Sequence, residues 1–329
     1  MSVSTFRIDH AIPGTTGAES DPTTPLGTRA LLVRPLTTTV PKELVHRASV
    51  AEVMLTGWER VDDHHFAVTA QWPRGHSFFA ADGHYNPLIA AETIRQAGIL
   101  LAHAEYGVPL DRQLLVGDIG VSARPEHFGI GWTPATLELR VAVRSAERHH
   151  GTLTGLRIEV EIHRDGRLAA TGGGSLTCVT PSEDRPIRPH HLPSKDRPQV
   201  IALTAPVPPQ TVGRRSPMDV VLSAMGQPDR WLLRVDIGHP AFFDRQIDHV
   251  PDMMLLEAAC QATAVTLGRS CALLDITTEF ERDAELTSHC VIEACLIPGT
   301  DADATESVLV TGHQDGEVVF RSTVTVAAG

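Results

Sequence analysis

The sequence has little basic charge, and almost none of it comes from lysine. Its 329 residues contain 28 Lys and Arg against 40 Asp and Glu, giving a formal charge of −12, and Lys42 and Lys195 are its two lysines. Proteins that bind nucleic acid through phosphate contacts carry a surplus of basic side chains. The deficit argues against nucleic acid as a partner.

Features of exported, membrane and metal-binding proteins are also missing. The N-terminus lacks the basic-then-apolar order of a secretory signal, and no run of about 18 uncharged apolar residues occurs. The five cysteines form no C-x-x-C pair, the paired histidines have no ligand partners at metal-binding spacing, and no G-x-S-x-G motif is present. These absences predict a cytoplasmic protein with free thiols, no metal and no membrane span.

Proline marks the organisation of the chain. Residues 1–27 show no apolar period and are predicted to be a disordered arm. Residues 181–210 hold eight of the 23 prolines, a density that excludes helix interiors and central strands, and are predicted to be a linker. Two predicted domains remain, at 28–180 and 211–329.

The two predicted domains repeat one order of landmarks at an offset of about 165 residues. Each has an Arg followed by a Ser two positions on, then a Gly-His pair with two Phe, and then a His, a Glu and a Gln-Ala pair. The first copy has Arg47, His76, His84, Glu92 and Gln96, and the second has Arg214, His239, His249, Glu257 and Gln261. We infer a tandem duplication.

Each repeat has one long apolar helix followed by strands. Asn86-Pro87 is typical of a helix start, and the helix to about Ala104 is apolar on nearly every side, as is its counterpart from about Pro251 to Leu267. Alternation with a period of two predicts antiparallel strands at 137–143, 156–162, 291–295, 307–310 and 318–324. These strands have only that helix to cover, so we predict an α+β fold, a tandem (double) hotdog in which a curved antiparallel β-sheet wraps a long buried helix in each repeat.

A carboxylate lies in the middle of each buried helix, Glu92 in the first and Glu257 in the second. Removing an ionised carboxylate from water is costly unless the group is paired or protonated. One interpretation is a general base with a raised pKa beneath a substrate tunnel. The other is a glutamate that reaches the surface or is satisfied by a structural arginine. Recurrence at the same point in both copies favours function.

The neighbours of the two glutamates differ. Arg95 and Gln96 follow Glu92 by one helical turn, where they could neutralise it or hold a substrate anion. After Glu257 these positions are Cys260 and Gln261, so the two sites are not chemically equivalent. Arg95, Gln96 and Gln261 are therefore candidate substrate-binding residues.

Two histidines precede each helix on the loop that leads to it. They are His76 and His84 in the first repeat and His239 and His249 in the second, and their paired occurrence makes them candidate catalytic residues. The run 171–175 (TGGGS) has no helix opening after it, so it is predicted to mark close backbone packing and not a phosphate loop.

Together these residues resemble the A-factor biosynthesis (AfsA-type) hotdog family. The likeness covers about residues 44–329 and rests on the Arg-x-Ser and Gly-His…Phe-Phe pairs, on DHVP at 248–251 leading into LEAA at 256–259, and on AETIRQA at 91–97. Against the family pattern, Cys260 replaces a second arginine, Asp252 replaces a glycine and Asn86 replaces an aspartate.

The resemblance implies an acyltransferase of γ-butyrolactone signal biosynthesis, built as an intramolecular pseudo-dimer of two hotdogs. Such enzymes transfer a β-ketoacyl group from acyl carrier protein to dihydroxyacetone phosphate, and no metal or organic cofactor is implied. The family's functional glutamate falls on Glu92 and Glu257. A Glu would take the proton from the attacking hydroxyl, with a His positioning it or protonating the leaving thiolate. Arg95, or the pair Arg214 and Arg215, would contact the phosphate.

Two other functions stay open from the sequence. A dehydratase or thioesterase on the same fold would also pair a loop His with a helix carboxylate, but it would need no phosphate site. A non-catalytic acyl-binding regulatory protein is the third reading, because a fold does not fix a function. We expect the two helices to lie side by side with each site built from both repeats, since pairing two copies covers a sheet edge.

Overall fold

Two long helices, α1 (Leu88–Ala104) and α2 (Asp252–Leu267), form the centres of the two repeats. The computed structural model describes residues 37–179, 201–298 and 305–328. The predicted arm at 1–27 and the predicted linker up to residue 200 lie outside the described residues. Both helices begin and end close to the predicted positions, and the Asn86 side chain accepts a hydrogen bond from the Leu88 N–H at 3.0 Å, as an N-cap does.

The described residues contain fourteen strands. Those of the first repeat are β1 (Leu55–Arg60), β2 (His65–Trp72), β3 (Ala80–Ala81), β4 (His84–Tyr85), β5 (Gln113–Ala123), β6 (Ala135–His149), β7 (Thr152–Arg164) and β8 (Arg167–Val179). Those of the second are β9 (Leu222–Ala224), β10 (Arg230–Leu233), β11 (Leu273–Phe280), β12 (Cys290–Ile297), β13 (Thr305–Gln314) and β14 (Glu317–Ala327). The five predicted strand segments lie within β6, β7, β12, β13 and β14.

Twelve of these strands form one antiparallel sheet, in the order β1-β2-β6-β7-β8-β5-β11-β14-β13-β12-β10-β9, and β3 pairs with β4 apart from it. The two repeats meet where β5 pairs with β11, between Asp118–Ser122 and Asp275–Glu279. Helix α1 also contacts α2. Each half of the sheet packs on its own helix, which is the tandem hotdog predicted from the sequence.

The helices are buried because they are apolar around their whole circumference. In α1 every residue except Arg95 and Ala104 is buried, and the same is true of α2 from Met253 to Ala264 with the exception of Cys260. An all-round apolar helix is stable only inside a core. Among the described residues, no helix has the length and apolar composition needed to cross a bilayer.

The glycine run lies inside β8, between β7 and β5. A Cβ at Gly172, Gly173 or Gly174 would collide with the carbonyl oxygen of a neighbouring strand. The prediction of close backbone packing is confirmed. The absence of side chains lets the central strands approach each other where the sheet bends over α1.

The start of the second repeat includes part of the predicted linker. The Val207 N–H donates to the Leu222 carbonyl at 3.0 Å, and the Val40 N–H donates to the Leu55 carbonyl at the same distance in the first repeat. A 3-10 turn follows in both, at Lys42–Val45 and Pro209–Val212. The repeat relation therefore extends upstream of residue 211.

Candidate active site

Glu92 is fully buried and its carboxylate is saturated with donors. Arg95 donates from Nε to Oε2 and from Nη2 to Oε1, both at 2.9 Å, and Arg47 Nε lies 3.0 Å from Oε1. Burial raises the pKa of Glu92, but these two guanidinium groups outweigh burial and bring the pKa to about 2. The expectation of a raised pKa is wrong here. Glu92 is a permanently ionised, paired carboxylate, which is a weak proton acceptor at neutral pH.

Glu257 is equally buried but has one arginine instead of two. Arg214 Nε lies 2.6 Å from Oε1, and its Nη2 contacts Oε2. Cys260 occupies the place that Arg95 has beside Glu92. Burial raises the pKa of the Cys260 thiol and the Glu257 carboxylate adds to the rise, so this thiol is not a nucleophile at neutral pH.

The two glutamines position the glutamates. Gln96 Nε2 donates to Glu92 at 2.6 Å and to the Glu52 carbonyl at 2.8 Å, while its Oε1 accepts from the Met54 N–H. Gln261 makes the same three bonds to Glu257, the Asp219 carbonyl and the Val221 N–H. Their amides are engaged within the protein, which differs from the predicted contact with substrate.

His76 and His239 also have internal partners on both ring nitrogens. His76 Nδ1 accepts from the N–H groups of Phe78 and Phe79, and its Nε2 lies 3.2 Å from Glu52. His239 Nδ1 accepts from the Phe242 N–H, and its Nε2 lies 3.2 Å from Asp219. Neither ring has a free nitrogen for a substrate proton, so both fix the loop before the helix.

His84 and His249, the second pair, have one nitrogen engaged. His84 is exposed, and its Nδ1 lies 3.1 Å from the backbone carbonyl of Asp82. Since a carbonyl only accepts, Nδ1 carries the proton in the neutral ring and Nε2 keeps its lone pair. His249 Nδ1 lies 3.0 Å from Asp248 Oδ1. Burial lowers the pKa of His249, but the hydrogen bond to Asp248 and nearby carboxylates raise it overall.

The arginine of each glutamate reaches into the other repeat. Arg47 Nη1 lies 3.2 Å from Asp244 Oδ1, and Asp244 Oδ2 accepts from the Ala48 N–H at 2.9 Å. Arg214 Nη1 lies 3.3 Å from the Phe78 carbonyl, and its guanidinium stacks 4.3 Å from the centre of the Phe78 ring. Each of these arginines is therefore contacted by residues of both repeats.

A cavity of about 340 Å³ opens at the second glutamate. Its polar lining includes Arg214, Glu257 and Cys260 of the second repeat and His84 of the first. Apolar side chains form the rest of the wall, among them Tyr85, Phe128, Val212, Ala264, Leu273, Val324 and Val326. The cavity can hold an apolar chain with its reactive end at the polar groups.

Two smaller side chains distinguish the second site from the first. Cys260 stands where Arg95 stands in α1. Ala81 lies five residues after His76, and Asp244 lies five residues after His239. Ala81 and Cys260 line the cavity, whereas Arg95 and Asp244 belong to the ion-pair network around Glu92.

Further charged residues surround the first site, and we had not predicted them as site residues. Burial, with Arg95 and Arg47 adding to it, lowers the pKa of Arg245 to about 10. Burial raises the pKa of Asp252 to about 6 against the opposing effects of His249 and Arg95. Arg47 was also missed, although it and Arg214 are the same landmark of the repeat, which was the signal available.

Arg215 does not line the cavity, but its exposed side chain pairs with Asp82, which does. It differs from Arg95 and Arg214, whose guanidinium groups are held by the glutamates. Among the described residues, no three His, Cys, Asp or Glu side chains group in a way that could hold a metal ion.

Comparison with known proteins gives this geometry a family. Residues 29–180 and 196–328 each match the A-factor biosynthesis hotdog domain (AfsA). A 2-oxo-3-(phosphooxy)propyl 3-oxoalkanoate synthase from Streptomyces virginiae is 46% identical over 287 residues, which cover 87% of this chain and 96% of that protein. A protein of the same name from Streptomyces coelicolor is 41% identical, with 87% and 90% covered.

Solved structures share the fold at low identity. The 12:0-ACP thioesterase from Umbellularia californica has a TM-score of 0.51 at 11% identity, over 80% of this chain and 94% of that one. A MaoC-like dehydratase has a TM-score of 0.50 at 14% identity, over 76% and 86%. Since both halves match the family domain and the relatives align over most of their length, the chain belongs to the AfsA family of A-factor biosynthesis hotdog proteins.

Proposed function

We propose that this protein transfers a 3-oxoacyl group from a thioester to a hydroxyl of dihydroxyacetone phosphate, which gives the type of ester for which its relatives are named. The observation that carries the proposal is the cavity of about 340 Å³, whose lining combines apolar side chains with Arg214, Glu257 and His84. An acyl chain needs the walls, and the transfer needs charged and basic groups at one end.

We propose His84 as the general base. Its Nε2 has a lone pair and no hydrogen-bond partner among the described residues, whereas both oxygens of Glu257 are engaged by Arg214. Nε2 would take the proton from the attacking hydroxyl as the new C–O bond forms. It would then return that proton to the sulfur when the C–S bond breaks.

The Glu257–Arg214 pair has an electrostatic role in this scheme. The guanidinium lines the cavity, where it would stabilise the negative charge that develops on the thioester oxygen during attack. Glu257 holds the guanidinium in one orientation through a two-point contact. The glutamate is therefore a positioning residue, which revises the base role that the sequence favoured.

We propose Arg215 for the phosphate of the acceptor. It is exposed, and among the described residues its ion-pair partner is an exposed carboxylate of the cavity lining, Asp82, which a phosphate could replace. The acyl donor is proposed to be a β-ketoacyl-acyl carrier protein, whose long prosthetic arm suits a reaction at the end of a cavity. The two repeats are proposed to act as an intramolecular pseudo-dimer, which the shared sheet and the crossed arginines support.

The test is a transfer assay with a 3-oxoacyl carrier-protein thioester and dihydroxyacetone phosphate, with the ester detected by mass spectrometry. His84→Gln should lower the rate by about 10²-fold or more, because it removes the proton acceptor. His249→Gln, the matched change in the other repeat, should lower it less. If His249→Gln lowered the rate more than His84→Gln, the reaction would be assigned to the site of Glu92.

The same assay separates the other functions. Thiol release at an unchanged rate without dihydroxyacetone phosphate would indicate a thioesterase. Loss of water from a 3-hydroxyacyl thioester, with no ester formed from the 3-oxoacyl donor, would indicate a dehydratase. Binding of the acyl group with no turnover of either thioester would indicate a regulatory protein.

A further inference from the structure

The cavity follows one face of α2. Glu257, Cys260 and Ala264 all line it, and residues at these spacings share a helix face. Ala264 lies seven positions after Glu257, which is a rise of about 10 Å along the helix axis. The opposite wall is formed by Leu273 of β11 and Val326 of β14. The space is thus a channel that begins at the charged residues and ends between the helix and the sheet.

Among the described residues, the space found beside α1 is much smaller. Arg95 and Gly98 of α1 line a space of only about 20 Å³, closed by Leu156, Ile158 and Leu176 of the sheet. The packing there is so close that a Cβ on Gly98 would lie 3.1 Å from the Leu176 side chain. This space is too small for a hydrocarbon chain.

The difference follows from side-chain size at equivalent positions. Cys260 and Ala264 in α2 correspond to Arg95 and Ile99 in α1, at the offset that relates the two glutamates. Both α2 residues are the smaller member of the pair. Each replacement removes side-chain volume from the face of the helix that the sheet covers, and a core that cannot collapse around such a loss keeps a cavity.

We infer that the acyl chain is held beside α2 and not beside α1, and that Cys260 and Ala264 set the length of chain that the protein accepts. The identity of the chain as an acyl group rests on the proposed function. Cys260 lies near the charged end and Ala264 near the far end of the channel. Enlarging Ala264 therefore shortens the accepted chain, and enlarging Cys260 blocks it for all lengths.

The experiment measures binding and not turnover. Amide analogues of 3-oxoacyl-pantetheine, which cannot be cleaved as thioesters, are titrated in a series of increasing chain length against wild type, Ala264→Phe and Val265→Phe. We expect Ala264→Phe to weaken binding of the longest analogue by about tenfold and to leave the shortest unchanged. Val265 is the next residue, partly buried and not part of the cavity lining, so it is the matched control for an added ring.

Equal weakening of short and long analogues by Ala264→Phe, in a variant whose thermal melt matches wild type, would overturn the inference. If the phenylalanine prevents folding, Ala264→Leu is the smaller change, with the same expectation. Cys260→Leu should abolish binding at every length, and retained binding would exclude it as a channel residue. Length-selective binding without ester formation would reject the proposed function but not the channel. Ester formation with unchanged length selectivity in Ala264→Phe would reject the channel but not the proposed function.

Discussion

At the scale of single residues, the two buried glutamates differ in how many cations hold them. Glu92 has Arg47 and Arg95, and Glu257 has Arg214 alone. A buried ion pair contributes little net stability against an apolar replacement, but removing one partner leaves a buried charge without compensation. The cost of neutralising each glutamate therefore depends on the arginines that remain.

Glu92→Gln should destabilise the protein by about 3–5 kcal/mol, since Arg47 and Arg95 would face each other with Asp244 as the remaining partner of Arg47. Glu257→Gln should cost less, because it leaves one arginine that lines an open cavity. Urea unfolding of both variants beside wild type measures the difference. Equal costs would contradict the role assigned to the second cation.

Asp252 gives a pH dependence of the opposite sign to that of an ordinary ion-paired carboxylate. Its pKa is about 6 in the folded protein against 3.8 in the reference state, so ionisation opposes folding. Stability associated with this group is complete below about pH 4 and is lost as pH rises through 6. Asp252→Asn should thus be more stable than wild type at pH 8, by up to about 3 kcal/mol, and no more stable at pH 3.5. Denaturant titrations at the two pH values test this, and a constant difference would reject it.

Changing Arg95 is not expected to alter binding of the acceptor. Among the described residues its two side-chain hydrogen bonds go to Glu92, and it does not line the cavity at Glu257. Arg95→Lys should leave the KM for dihydroxyacetone phosphate unchanged while lowering the melting temperature, because lysine loses the two-point contact. Arg215→Ala should raise that KM at an unchanged melting temperature. Steady-state kinetics with the acceptor varied compare the two variants. A KM raised in Arg95→Lys and not in Arg215→Ala would indicate that the phosphate binds near Glu92.

The repeated glutamates and histidines could be found from the sequence because each recurs at the same point of a duplicated helix or loop. The distant partners could not. Arg47 lies 45 residues before Glu92 and Asp244 lies 197 residues after Arg47, so their contacts depend on how the chain folds back. The raised pKa expected for Glu92 was wrong because the sequence showed burial and Arg95 but did not place Arg47 beside the same carboxylate.

At the scale of secondary structure, periodicity identified both helices and the five strands β6, β7, β12, β13 and β14. Strand β8 was missed because its centre is Gly172–Gly173–Gly174, and glycine has low strand propensity when considered alone. The structure explains why these residues are glycines, because the neighbouring backbones leave no room for a Cβ. Here the tertiary packing decides the conformation and the local propensity does not.

Gly173→Ala should destabilise the protein by about 1–3 kcal/mol through overpacking between β8 and β7. Gly151→Ala is no suitable control, because its positive φ adds backbone strain. Gly75 has open space around its Cβ position and no positive φ, so Gly75→Ala should be near neutral. Thermal melts of the two variants make the comparison, and equal shifts would reject the packing argument.

At the scale of the whole molecule, the β5–β11 ladder joins both repeats into one sheet, and Arg47 and Arg214 each cross between them. We therefore expect one cooperative unfolding transition. Trp72 in β2 and Trp231 in β10 are buried reporters in the two repeats. Within each variant that keeps one of these tryptophans, fluorescence and far-UV circular dichroism should give the same urea midpoint. Different midpoints for the two probes would mean that the repeats unfold independently.

Joining two hotdogs in one chain also changes what evolution can alter. In a dimer of identical chains every substitution appears twice, so a residue that opens one site opens its symmetry mate as well. Here Cys260 and Arg95 differ at equivalent positions of the two repeats, as do Ala81 and Asp244. One repeat can then keep the charged residues that join the two halves, while the other repeat changes its ligand specificity. Fusion into one chain thus allows two sites to differ, which the symmetry of a dimer of identical chains forbids.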